Sequence, residues 1–282
     1  MAMNSVNTNI GAMTALQSLN RTNDALAVVQ KRVSTGFRVA DAKDDGGAFA
    51  IAQTVRADTS SLTAVNEQLG GVRGLVDVSL TALGQVSKSM IEVRSVLTRL
   101  ADGTISAEQR DQYNQQYDQL RNQITNFMAD ASYFDKNLLT GTSPTDDIVT
   151  MRNESAAATD LYTLVALGPD TNFLVAAGPY ATAADAQAAL APTTGDFDTI
   201  NTAVNNAMNR LGSDSRYIDA QITYNNDKID ALDSGLGSLI DADLAKESAK
   251  MQALQIRQQL GSQTLSLANQ APQFLVSLFG GR

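Results

Sequence analysis

Val72-Arg73-Gly74-Leu75-Val76-Asp77-Val78-Ser79-Leu80-Thr81-Ala82-Leu83-Gly84-Gln85-Val86-Ser87-Lys88-Ser89-Met90-Ile91-Glu92-Val93-Arg94-Ser95-Val96-Leu97-Thr98-Arg99-Leu100 is the stretch that decides the fold class. Within it Val72, Val76, Ser79, Leu83, Val86, Met90, Val93, Leu97 and Leu100 recur at alternating spacings of four and three, and only Ser79 is polar. This rhythm is the seam of a helical coiled coil, because a repeat of 3.5 residues keeps one stripe turned toward a partner. Asp102-Gly103 then stops the helix, and Ser106 with Gln109 forms a capping box that opens another. The connection is short, so the second helix, with Tyr113, Tyr117, Leu120, Ile124 and Phe127 on its stripe, should run back antiparallel.

Farther along, Phe197, Ile200, Val204, Met208, Leu211, Ser215, Ile218, Ile222, Asn225, Ile229, Leu232 and Leu236 continue the spacing, with one stutter between Val204 and Met208. Such a helix is roughly 60 Å long. Alone it cannot offset the entropy of its own ordering, so it must pack on the first two helices. The expected fold is mainly α: a long antiparallel helical coiled-coil rod built from N- and C-terminal segments, with a small mixed or β-containing central insert. Gly70-Gly71 and Gly74 lack the Gly-Lys-Ser/Thr of a phosphate loop and read as a soft point in the long helix.

The insert, residues 141–196, holds four of the five prolines (Pro144, Pro169, Pro179, Pro192). It has β-like runs at Asp146–Met151, Leu161–Leu167 and Phe173–Val175, and a short helix at Ala181–Ala191. It is expected to lie at the far end of the rod, facing solvent, and to be dispensable for assembly.

Both ends are amphipathic. One stripe runs through Met13, Leu16, Leu19, Leu26, Val29 and Val33, the other through Met251, Leu254, Ile256, Leu260, Leu265 and Leu267. The C-terminal helix carries Gln252, Gln255, Gln258, Gln259 and Gln263 where a solvated helix would carry Lys and Glu. A neutral amide is buried at modest cost given a hydrogen-bond partner, whereas a charge is not. Leu16, Leu19, Leu26, Val33, Met251, Leu254, Ile256, Leu260 and Leu265 are therefore the candidate self-assembly residues.

Composition removes most enzymology. The 282 residues include no Cys, His or Trp, which excludes thiolate nucleophiles, disulfides, imidazole or thiolate zinc sites and a Ser-His-Asp triad. The chain reads as a non-enzyme without a cofactor. A net charge of −9 argues against a nucleic-acid partner, and no apolar run approaches the ~20 residues of a membrane span. No cleavable signal peptide is legible. Asp41, Asp44 and Asp45 suggest a calcium loop, but Ala52 stands where its terminal Glu would fall, leaving helix-start carboxylates as the reading. Asp241, Asp243 and Glu247, interleaved with Lys246 and Lys250, read as capping and surface pairing.

Several blocks match one family. Asn7-Thr8-Asn9, the run from Arg32-Val33-Ser34-Thr35-Gly36-Phe37-Arg38-Val39 through Asp44-Asp45-Gly46-Gly47-Ala48-Phe49-Ala50-Ile51, the block Asp135-Lys136-Asn137-Leu138-Leu139, Leu239-Ile240-Asp241-Ala242-Asp243, Gln255-Ile256-Arg257-Gln258-Gln259 and Ala268-Asn269-Gln270-Ala271-Pro272-Gln273 resemble bacterial flagellin. The resemblance covers residues 1–140 and 197–282, not the insert. It implies an inner filament-core domain from residues 1–44 and 238–282, a helical rod domain from 45–140 and 197–237, and a variable surface insert at 141–196. It further implies a secreted subunit of the extracellular flagellum, exported through the flagellar channel without a cleaved signal and polymerising with itself. Its ends would be disordered alone and fold on assembly. Implied partners are an export chaperone, the export apparatus, and the hook-associated junction and cap proteins; a hook-filament junction protein is the alternative. Two departures stand out. Val93-Arg94-Ser95-Val96-Leu97-Thr98-Arg99 replaces the segment an innate immune receptor reads in many flagellins, and Asp44-Asp45-Gly46-Gly47-Ala48 replaces the usual Asp-Asp-Ala-Ala-Gly, loosening a helix start.

Overall fold

The computed structural model describes residues 9–141, 145–155, 160–167 and 178–279, with side chains to residue 270. In chain order the elements are α1 (Ile10–Thr35), α2 (Gly46–Leu100), α3 (Ala107–Ala129), β1 (Ser132–Tyr133), β2 (Lys136–Asn137), β3 (Ile148–Met151), β4 (Leu161–Leu164), α4 (Ala183–Ala189), α5 (Asp196–Ile240) and α6 (Leu244–Phe279). The fold is mainly α, and it divides into two compact units: Asp58–Asp230, and the two ends up to Ala57 and from Ala231.

In the unit 58–230, every seam position from Val72 to Leu100 is buried, and the seam extends back through Leu62, Val65 and Leu69. Ser79, its one polar member, is fully buried and donates its hydroxyl to the Leu75 carbonyl at 2.8 Å, which removes the cost of an unpaired group. Gly70, Gly71 and Gly74 do not interrupt α2. At Gly74 a Cβ would lie 3.0 Å from the Tyr133 ring, so the missing side chain lets that ring pack on the helix.

α3 opens with the expected box: Ser106 Oγ accepts from Gln109 N, and Gln109 Oε1 accepts from Ser106 N at 3.0 Å. Arg110 donates to the Leu100 carbonyl at 2.7 Å, and Arg99 covers the Tyr113 ring at 5.6 Å, so α3 runs antiparallel to α2. α5 is also antiparallel to α2, as Arg94 over Phe197 at 6.0 Å and the Arg73–Asp219 pair at 2.9 Å require. The stutter expected between Val204 and Met208 is not at that place: Ala207 is buried and Met208 only partly, so Phe197, Ile200, Val204, Ala207 and Leu211 keep the alternating spacing through it. An alanine carries too little apolar surface to stand out in the sequence.

Two antiparallel hairpins follow α3. The first, β1 with β2, was not legible in the sequence; its turn holds Phe134 and Asp135 at φ 48° and 59°, the left-handed pair that a tight hairpin needs, without the usual Asn-Gly. Asn137 secures it, donating to the Met128 carbonyl at 2.8 Å and accepting from Leu139 N at 2.8 Å. The second pairs Ile148 with Leu164 through Met151 with Leu161, within two of the expected β-like runs. The third, Phe173–Val175, lies outside the described residues.

The insert is not a loose appendage. Leu164, Leu167, Tyr180, Ala186 and Ala189 belong to the same buried core as the α2 seam. Tyr180 meets Tyr117 edge to face at 5.1 Å with the two hydroxyls 3.1 Å apart, and Asn114 bonds both the N–H and the carbonyl of Tyr180. Removing residues 141–196 would therefore uncover part of this core.

Candidate self-assembly surface

In the terminal unit α1 and α6 lie side by side, antiparallel. Asn9 donates to the Ala268 carbonyl at 2.7 Å, Gln258 to Asn23 Oδ1 at 2.8 Å, and Arg32 to Glu247 at 3.2 Å. The shielded positions include Ala12, Ala15, Leu19, Thr22, Leu26, Val29 and Val33 on α1, and Glu247, Met251, Leu254, Gln258, Gly261, Leu265 and Ala268 on α6. Both sets alternate by three and four, which makes this a two-helix coiled coil. Its seam is thin, however: among the described residues only Leu26, Val29 and Leu254 are buried apolar side chains. Small residues bring the backbones close: at Gly261 a Cβ would stand 3.2 Å from Leu19 Cδ1.

The candidate residues thus divide. Leu19, Leu26, Val33, Met251, Leu254 and Leu265 lie in the seam, whereas Leu16, Ile256 and Leu260 point away from it and are 47%, 58% and 55% exposed. Ile10, Met13, Val28 and Leu267 join this outward set. Ile256, Leu260 and Leu267 occupy the heptad positions farthest from α1, where a two-helix coiled coil in water carries charge. Sequence reading merged the two faces because the true seam contains Ala, Thr, Gln and Gly, and only the alternation of three and four running through these small and polar residues could have revealed it.

The joint between α1, α2, α5 and α6 is built from the blocks quoted above. Gly36 ends α1 at φ 77°, its N–H bonded to the Arg32 carbonyl at 2.9 Å, a conformation that favours glycine. The chain then pairs with residues after α5: Val39 N donates to the Ile240 carbonyl at 3.2 Å and Ala242 N to the Gly36 carbonyl at 2.9 Å. Val39, Ala48, Ala52 and Ile240 form a small core beneath. The helix start that Gly46-Gly47 was expected to loosen is capped by Asp45, whose Oδ1 accepts from Gly47 N at 3.1 Å and Ala48 N at 3.0 Å. Glu247 is paired across helices to Arg32 rather than to Lys246 or Lys250, and Asp243 caps α6 through Lys246 N at 3.0 Å.

Lys31 Nζ bonds Asp41 at 2.7 Å and Asp44 at 2.8 Å. These bonds hold both carboxyls below their usual range and raise the ammonium. Because the carboxyl values are depressed, the triad's contribution is complete above the ordinary value of 3.8 and is lost as pH falls through the lower folded ones. The amides of Ala40 and Asp41, which donate to Asp44 Oδ2, should accordingly become mobile by NMR relaxation in Asp44→Asn at neutral pH, but only in strong acid in the parent. Equal mobility of parent and variant at neutral pH would show that the triad does not hold the loop. Among the described residues no cluster of carboxylates is arranged to hold a metal ion, and no helix is long and apolar enough to cross a membrane.

The chain matches the bacterial flagellin N-terminal helical region over residues 6–144 and the C-terminal helical region over residues 194–279. It is a member of the bacterial flagellin family. Flagellin FljM of Caulobacter vibrioides is 36% identical across 99% of this chain and its own full length. A flagellin of Brucella melitensis is 32% identical over 99% of this chain and likewise its full length. Among solved structures, a putative flagellar hook-associated protein from Vibrio parahaemolyticus shares the fold, with a TM-score of 0.56 at 15% identity over 70% of this chain and all of that one. In this flagellin the two family-matched regions contain the paired helices α1 and α6 and the joint that connects them to α2 and α5.

Proposed function

We propose that this flagellin is the structural subunit of a flagellar filament and that it polymerises through the outward faces of its paired terminal helices. The observation that carries the mechanism is the exposed apolar row Ile256, Leu260 and Leu267 on α6, matched by Ile10, Met13 and Leu16 on α1. These side chains face water in a single chain although they lie where a solvated coiled coil would be charged, so neighbouring copies must cover them. A contact between unlike faces of identical subunits whose rotation does not close a ring builds an open helical filament. The thin seam fits coupled folding: α1 and α6 gain most of their burial from neighbours, and residues 1–44 and 238–282 form the filament core. The extracellular flagellum is the site of action, with an export chaperone, the export apparatus, and the hook-associated junction and cap proteins as partners by family resemblance.

Electron microscopy of the purified chain tests this directly. Micrometre fibres are expected; short assemblies that stop growing would favour the junction role. A separate expectation concerns the innate receptor. Ser95 and Thr98 are exposed on α2, Arg94 lies over Phe197 and Arg99 over Tyr113. Receptor-reporter cells should respond weakly or not at all, and a potency equal to that of an enterobacterial flagellin would contradict this.

A further inference from the structure

The α2 and α5 seams are apolar except at a few places, and the most elaborate is around Asn225, which is completely buried. Asn225 Nδ2 donates to Asn66 Oδ1 on α2 at 2.9 Å and to the Arg152 carbonyl just beyond β3 at 3.2 Å. Gln221 Nε2 donates to the same carbonyl at 3.0 Å and to Asn225 Oδ1 at 3.0 Å, while Asn66 Nδ2 donates to Asn226 Oδ1 at 2.8 Å. One residue pair along, Lys228 is ion-paired to Glu154. Above and below, the layers return to Leu62, Val65, Leu69 and Ile218.

We propose that this amide cluster, closed by the insert's own backbone at Arg152, is the device that sets the register of α5 against α2. Apolar heptad seams tolerate a slip of seven residues, because one apolar layer replaces another at little cost. The amides do not tolerate it. A slip of one heptad sets Ile218 against Asn66 in place of Asn225, and it takes both donors away from the Arg152 carbonyl. The amide of Asn225, the completely buried member, would then be left unpaired, which is the costly outcome, whereas the satisfied cluster adds little net stability. The insert thereby acts on the bundle: a segment that looks like surface decoration supplies the acceptor that only one alignment can reach. The inference concerns the unit 58–230 alone and does not depend on how subunits assemble.

The natural absence of cysteine makes the test clean. Arg73 and Asp219 face each other in the native register at 2.9 Å, and Gly212 stands seven residues before Asp219 with open space around it. In the full chain, Arg73→Cys with Asp219→Cys reports the native alignment, and Arg73→Cys with Gly212→Cys reports the slipped one, each read with a short bismaleimide. With the cluster intact the slipped pair should stay at background. In the Asn225→Leu background it should rise by about tenfold or more, the effect on an equilibrium of losing one discriminating buried amide pairing, at unchanged helical circular dichroism. Gln221→Ala, which removes one donor from the Arg152 carbonyl, should shift it in the same direction by less. A folded Asn225→Leu chain that crosslinks only in the native register overturns the proposal; if Asn225→Leu does not fold, the absence of any rise in Gln221→Ala overturns it instead.

Discussion

Leu260→Asp is expected to abolish fibre formation while leaving the chain folded. Leu260 is 55% exposed on the side of α6 turned away from α1, so in the single chain a carboxylate there stays in water. Once a neighbouring copy covers the site, the same carboxylate is buried without a partner, at a cost of about 3–5 kcal/mol. That penalty raises the concentration needed for assembly by about two to three and a half decades. Ile256→Asp should behave alike for the same reason, being 58% exposed on that face. Leu254→Asp differs, because Leu254 is buried against Leu26 and Val29 and its replacement breaks the α1–α6 pair itself. Sedimentation with circular dichroism separates these outcomes: the first two variants remain folded monomers with parental helicity, and the third loses helicity. Fibres formed by Leu260→Asp at the parental concentration would show that the outward face of α6 is not an assembly contact.

Tyr117→Ala should cost about 3–5 kcal/mol of folding stability. Tyr117 is completely buried, its ring meets Tyr180 edge to face at 5.1 Å, and its hydroxyl lies 3.1 Å from that of Tyr180. Burial also pushes its phenol well above the ordinary range. Truncation to alanine leaves a ring-sized cavity on α3 and takes away the surface on which the chain after Gly178 rests. Tyr117→Phe removes only the hydroxyl contact and should cost about 1 kcal/mol. Urea titration of the full chain measures both, and an alanine variant within 1 kcal/mol of the parent would mean that the insert contributes no packing to the bundle.

These two positions also show how far the sequence could be read. The α2 seam and most of the α3 and α5 seams were legible because large apolar side chains mark them; every seam position from Val72 to Leu100 is buried, whereas on α3 Asn114 and Met128 are buried in place of Tyr113 and Phe127. The α1–α6 seam was not, since Ala12, Ala15, Thr22, Gln258, Gly261 and Ala268 have little apolar surface to set them apart from their neighbours. Leucines such as Leu16 and Leu260 drew the eye instead, and they belong to the outward face. The insert's strands and short helix were visible, but its packing was not, because Tyr180 and Asn114 lie 66 residues apart and nothing local announces their bonds. The β1–β2 turn escaped because Phe134 and Asp135 adopt positive φ where glycine or asparagine is the usual sign.

The central claim is that α1 and α6 obtain most of their burial from neighbouring copies, and hydrogen exchange on monomer and fibre tests it most directly. With only Leu26, Val29 and Leu254 as buried apolar side chains between them among the described residues, the amides of Ile10–Thr35 and of α6 from Leu244 to residue 270 should exchange rapidly in the monomer while the α2 seam from Val72 to Leu100 stays protected. In the fibre the terminal amides should become as slow as those of the seam. Terminal helices as protected in the monomer as in the fibre would contradict the account, because folding would then precede assembly and the outward apolar faces would contribute nothing to ordering the ends.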